Sequence, residues 1–140
     1  MLLLLLYGCP PIYSQNFEGE YRSHKTSFND EINPENSFVE ETDFNILIIP
    51  TKNEKEGLII IQDPRIPYKN LIYTIESFIG ELTDGSIKSQ LFKVRSEHTT
   101  EESSIITIYT NKKGSQNLMV SNSKSSQVFF EIEPSFTLPK

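Results

Sequence analysis

Short apolar runs rich in β-branched residues recur at close intervals from Phe44 to Ile132, each closed by a cluster of turn formers, and this rhythm leaves little room for helices. The runs are Phe44 to Ile49, Leu58 to Gln62, Leu71 to Ile79, Ile87 to Arg95, Ile105 to Thr110, Leu118 to Val120 and Val128 to Ile132. With Phe17 to Ser23 they predict about eight strands. Connectors such as Leu82-Thr83-Asp84-Gly85, Asn111-Lys112-Lys113-Gly114 and Ser121-Asn122-Ser123-Lys124 carry residues that accept positive φ or bond their own backbone. Strands adjacent in sequence should therefore pair antiparallel, as a meander. After Gln15 the chain holds sixteen isoleucines against seven leucines, and it has no alanine or tryptophan. Branched side chains of this kind suit a pleated, half-buried surface.

Periodicity divides the runs into two kinds. Val128, Phe130 and Ile132 alternate with polar or differently facing neighbours, as do Leu71, Tyr73, Ile75 and Ile79, so these strands are expected to have one wet face. Ile46-Leu47-Ile48-Ile49 and Leu58-Ile59-Ile60-Ile61 are apolar on both faces and need cover on each side. One short helix is expected near 34–41: Asn33 can cap it, Pro34 suits its first position, and Glu35 stabilises its positive end. Phe38 and Val39 would be its apolar anchors. Asp63-Pro64-Arg65-Ile66-Pro67-Tyr68 is a connector stiffened by two prolines.

Charge narrows the function classes. The formal net charge is −6, and the segment 16–43 alone carries eight acids against Arg22 and Lys25. A neutral body behind an acidic entry segment has no basic face for phosphate backbones, which argues against nucleic-acid binding. Asp30-Glu31-Ile32-Asn33 lacks the spacing and glycine of a calcium loop, and the only two histidines, His24 and His98, sit at no metal-ligand or triad spacing. No nucleophile elbow, glycine-rich phosphate cradle or zinc-protease helix is present. The pairs Glu40-Glu41 and Glu101-Glu102 are adjacent residues, and adjacency does not make two carboxyls converge on a substrate. The reading is of a non-enzymatic chain without metal or cofactor.

Residues 1–15 read as an address, not as structure. Leu2 to Gly8 supplies an apolar stretch of signal-peptide length, far short of the roughly 20 residues that span a bilayer as a helix. Pro10-Pro11 ends any helix there. Leu6-Tyr7-Gly8-Cys9 resembles the lipobox of bacterial lipoproteins, with Tyr7 where a small residue is usual. That resemblance implies lipidation of Cys9, which would be the only attachment to a membrane. Cleavage after Ser14 or Gln15, releasing a soluble secreted chain, is the other expectation. Cys9 is the only cysteine, so the domain over 16–140 has no internal disulfide and must stand on packing.

Phe17-Glu18-Gly19-Glu20-Tyr21 resembles the G-x-W opening of lipocalins and fatty-acid-binding proteins, with Tyr21 in place of the tryptophan. The resemblance implies an up-and-down barrel, with Gly19 giving a sharp strand entry and Tyr21 plugging one end. Another antiparallel sheet, a sandwich or a half-open barrel fits the strand pattern as well. In the barrel reading Ile46, Ile48, Ile60, Tyr73, Ile75, Phe92, Tyr109 and Phe130 form the wall around a small apolar ligand. The alternative is a module that docks another envelope protein through its apolar strands or an open edge.

Overall fold

The computed structural model describes residues 18–50, 56–66, 70–85, 87–97 and 103–135. The leader with Cys9, Phe17, His98 and the pair Glu101-Glu102 lie outside the described residues. Ten strand segments make one antiparallel sheet. They are β1 (Gly19–Ser23), β2 (Thr26–Asp30), β3 (Phe38–Glu40), β4 (Phe44–Ile49), β5 (Gly57–Gln62), β6 (Asn70–Asp84), β7 (Ile87–Ser96), β8 (Ser104–Thr110), β9 (Gln116–Ser121) and β10 (Ser125–Pro134).

From β4 to β10 each strand pairs with the next one in sequence, as hairpin connections require. The sheet then closes on itself. β1 pairs with β4 on one side and with the end of β10 on the other, where Tyr21 faces Pro134 and Arg22 faces Glu133. The result is an eight-stranded closed barrel with extra segments. β2 continues along β10 and carries β3 on its outer side. β1 and β2 therefore act as two halves of one strand bent at His24 and Lys25. The bend is held by the buried Ser23 hydroxyl, 2.8 Å from the Phe130 carbonyl and 2.9 Å from that of Lys25.

Closure pairs the barrel strands on both sides and leaves β3 as the edge, and alternation then sends every second barrel side chain into the lumen. Ile46 faces Ile61 and Ile48 faces Ile59 across β4 and β5. Phe92 faces Ile106, and Leu118 lies between Ile108 and Phe129. These belong to a core of fourteen buried apolar side chains among the described residues. Phe129 packs edge-to-face on Phe44 with ring centroids 5.1 Å apart.

Two beats read from the sequence are broken by bulges. In β10 the register slips between Phe129 and Ile132, and Glu131 takes φ +49°. Phe129 and Ile132 are thereby both buried, while Val128 and Phe130 lie outside the core. The expectation that Val128, Phe130 and Ile132 share a face fails because one extra residue shifts the alternation. In β6 the register slips twice, between Ile75 and Ser77 and between Phe78 and Gly80. Ile79 falls in the second slip and is 51% exposed, and Phe78 stands against Phe92 in its place.

The expected helix near 34–41 is a single 3-10 turn, Pro34–Asn36. Asn33 makes no capping bond through its side chain. Its role passes to Asp30, whose carboxylate accepts the backbone N–H groups of Ile32 and Asn33 and is held below its ordinary pKa by them. Phe38 and Val39 are extended residues of β3, and Phe38 stacks on Phe28 at 5.6 Å.

Candidate functional site

The up-and-down path places the last residues of β2, β5, β7 and β9 at one end of the barrel. At that mouth lies a pocket of about 340 Å³. Its apolar surface comes from Phe28, Leu71, Tyr73 and Val120, and its polar surface includes Ser96, Ser104 and Gln127. Each belongs to the inward set of its strand: Leu71 pairs with Ile61, Tyr73 with Ile59, Val120 with Ile106, and Gln127 with both Val120 and Phe28. The pocket is therefore the top of the lumen, resting on the packed core below. Gln127 is held by donating its amide to the Thr26 hydroxyl at 3.1 Å, and that hydroxyl lies 2.8 Å from the Val128 carbonyl. Burial pushes the Tyr73 phenol above its ordinary pKa, so it stays neutral and able to donate at physiological pH.

The residues expected to form a ligand wall separate into three groups. Tyr73 lines the mouth pocket. Ile46, Ile48, Ile75 and Phe92 point into the lumen but are consumed by the core. Ile60, Tyr109 and Phe130 alternate with, or are bulged away from, the buried Ile59, Ile61, Ile108 and Phe129, and stand on the outside. Gly19 and Tyr21 occupy the opposite end, where the chain enters β1. Gly19 has φ +126°, a conformation that favours glycine, and Tyr21 is 7% exposed against the core.

A second cleft, of about 820 Å³, runs outside the barrel beside the β10 bulge, bounded by His24, Lys25, the β8–β9 turn and residues 130–133. Lys25 lies 5.4 Å from the Phe130 ring centroid. His24 Nδ1 is 2.5 Å from Asp43 and its Nε2 is 3.8 Å from Glu133. Among the described residues no hydroxyl bonds to this histidine. No three metal-ligating side chains converge among the described residues.

The hydrogen bond to Asp43 raises the His24 pKa above its ordinary 6.5. The protonated ring then stabilises the fold in full below the unfolded value, and this contribution fades as the pH climbs past the folded value. Both partners are solvent-exposed, so the contribution is small. An NMR titration should place His24 above 6.5 in the native protein and return it toward that value in Asp43→Asn. An unchanged titration in that variant would remove the pairing.

Most of the pocket residues escaped the sequence reading. Phe28 lies in β2, which was not foreseen because Thr26-Ser27-Phe28-Asn29-Asp30 is polar at four of five positions. The available signal was the two-residue spacing of Thr26 and Phe28, which repeats that of Tyr21 and Ser23. Ser96, Ser104 and Gln127 are polar at lumen positions, where hydropathy alone assigns residues to solvent. No family model, curated protein or solved structure matches this chain.

Proposed function

We propose that this chain is a non-enzymatic binding barrel of the bacterial cell envelope, holding a small and largely apolar ligand in a lipocalin-like manner. The observation that carries the reading is the mouth pocket: a recess of about 340 Å³ walled by inward residues of β2, β6, β7, β8, β9 and β10. A barrel that served only as a scaffold would gain by filling this volume with side chains, since unfilled lumen forfeits packing contacts. Export is supported by residues 1–15, with lipidation at Cys9 and cleavage after Ser14 or Gln15 as the two routes.

Mass spectrometry of the protein from its native source, under non-denaturing conditions and then after denaturation, tests both parts. A retained small molecule and a processed amino terminus are expected. A ligand-free chain that still begins at Met1 would contradict the reading.

One observation favours an envelope-protein partner instead. Leu47, Ile60 and Ile72 lie in register on the outer side of β4, β5 and β6, with Ile49 and Leu58 beside them. This is the second face of the two apolar runs, and none of the five is fully buried. Under this second reading Ile60→Lys abolishes capture of the partner while small-ligand binding persists.

A further inference from the structure

We propose that the mouth pocket selects a small monocarboxylate bearing a second polar group, with Lys124 reading the acid and Ser104 the second group. This rests on the ligand-binding reading above and names the chemistry of its ligand.

Among the described residues that line the pocket, Lys124 is the only charged one and none is a carboxylate. Among the described residues its ammonium makes no ion pair. Its backbone is fixed at the rim, because the Asn122 side-chain oxygen accepts the N–H groups of Lys124 and Ser125 at 2.8 and 2.9 Å. The Lys124 carbonyl in turn accepts the Glu31 N–H at 2.9 Å. A single cation among the described lining residues favours a single negative charge. Asp30 ends β2, and Glu31 and Glu35 follow it at the same end of the barrel, so a multiply charged anion would meet repulsion that one carboxylate largely escapes.

Ser104 supplies the independent observation. It is 6% exposed, it lines the pocket, and its hydroxyl has no partner among the described residues. A hydroxyl that lines a recess without a protein partner there is placed to bond a ligand atom. The neutral Tyr73 phenol lines the same recess. Phe28, Leu71 and Val120 take the apolar body between the two polar ends. At interior packing density the recess holds about 250 Å³ of van der Waals volume. That is ample for one aromatic ring with a short acid chain.

Titration calorimetry with para-hydroxyphenylpropanoate, phenylpropanoate and para-propylphenol tests the assignment. The first compound carries both polar groups, and each of the others lacks one. The native barrel should bind the first most tightly, with each analogue weaker by about threefold or more. Lys124→Met should erase the advantage of the acid and leave para-propylphenol affinity unchanged. Ser104→Ala should erase the advantage of the hydroxyl and leave phenylpropanoate affinity unchanged.

Equal binding of all three by the native protein, or variants that weaken all three alike, would overturn the proposal. So would failure of all three to bind, and propylbenzene then separates the two levels of the argument. If propylbenzene binds, the mouth remains a ligand site with a different selectivity. If it does not, the ligand-binding reading falls as well.

Discussion

Phe129→Ala should cost about 3–5 kcal/mol of folding stability, while Phe130→Ala, one residue along, should cost no more than about 1 kcal/mol. Phe129 is 0% exposed and is the largest fully buried side chain of the barrel. It touches Phe44 edge-on, and it pairs with Thr26 on one side and Leu118 on the other. Its removal leaves a cavity at the seam where the last strand closes onto β2. The surrounding ladder, bonded on both sides, has little freedom to collapse into that space. Phe130 lines the outer cleft, where its ring is half-buried beneath the Lys25 ammonium. Urea denaturation of the two variants measures the difference directly. Equal losses, or a larger loss at Phe130, would show that the bulge is misplaced and the register of β10 shifted by one.

Asn117→Ala should cost about 2–3 kcal/mol, a large effect for the loss of one polar side chain. Asn117 is 4% exposed, and its side-chain oxygen accepts the Glu131 N–H at 2.9 Å and the Asn111 amide at 3.1 Å. Its own amide donates to the Tyr109 hydroxyl at 3.2 Å. Glu131 sits at positive φ in the bulge, where its N–H has left the ladder, so Asn117 stands in for the missing strand partner. Alanine strands that donor and leaves the strained backbone without support. Tyr109→Phe removes a single outer contact and should cost under about 1 kcal/mol. Thermal or urea unfolding of both variants checks the ordering. A neutral Asn117→Ala would mean that the bulge is held by packing alone.

What the sequence disclosed was governed by how far each signal reaches along the chain. The strands from β4 onward were legible because two-residue alternation and turn chemistry are local, and the β5–β6, β8–β9 and β9–β10 connections fall at the proline- and asparagine-rich clusters. The bulges were not legible. An extra residue in one strand shows only against its partner, and neither Glu131 nor Ile79 differs in type from an ordinary strand residue. The one helical turn was over-read because Asn33-Pro34-Glu35 is a sound start signal. What stops it after Asn36 is the pairing of Phe38 and Val39 with β2, a tertiary contact that overrides local propensity. Gly19 and Tyr21 were singled out through a resemblance, and they lie at the strand entry and against the core. The eight proposed wall residues were chosen for size and apolarity, which locates a core better than a binding pocket. The pocket itself is built at strand ends from serine, glutamine and two aromatic rings. Its residues gain meaning only when closure of β1 onto β10 brings six strands around one opening.

Amide chemical-shift mapping of the isotope-labelled barrel during titration with propylbenzene tests the central claim most directly. Shifts concentrated at Phe28, Leu71, Tyr73, Ser104 and Val120, with Leu47, Ile60 and Ile72 unmoved, are the expected outcome. Shifts confined to the outer side of β4, β5 and β6, or none at saturating ligand, would contradict it.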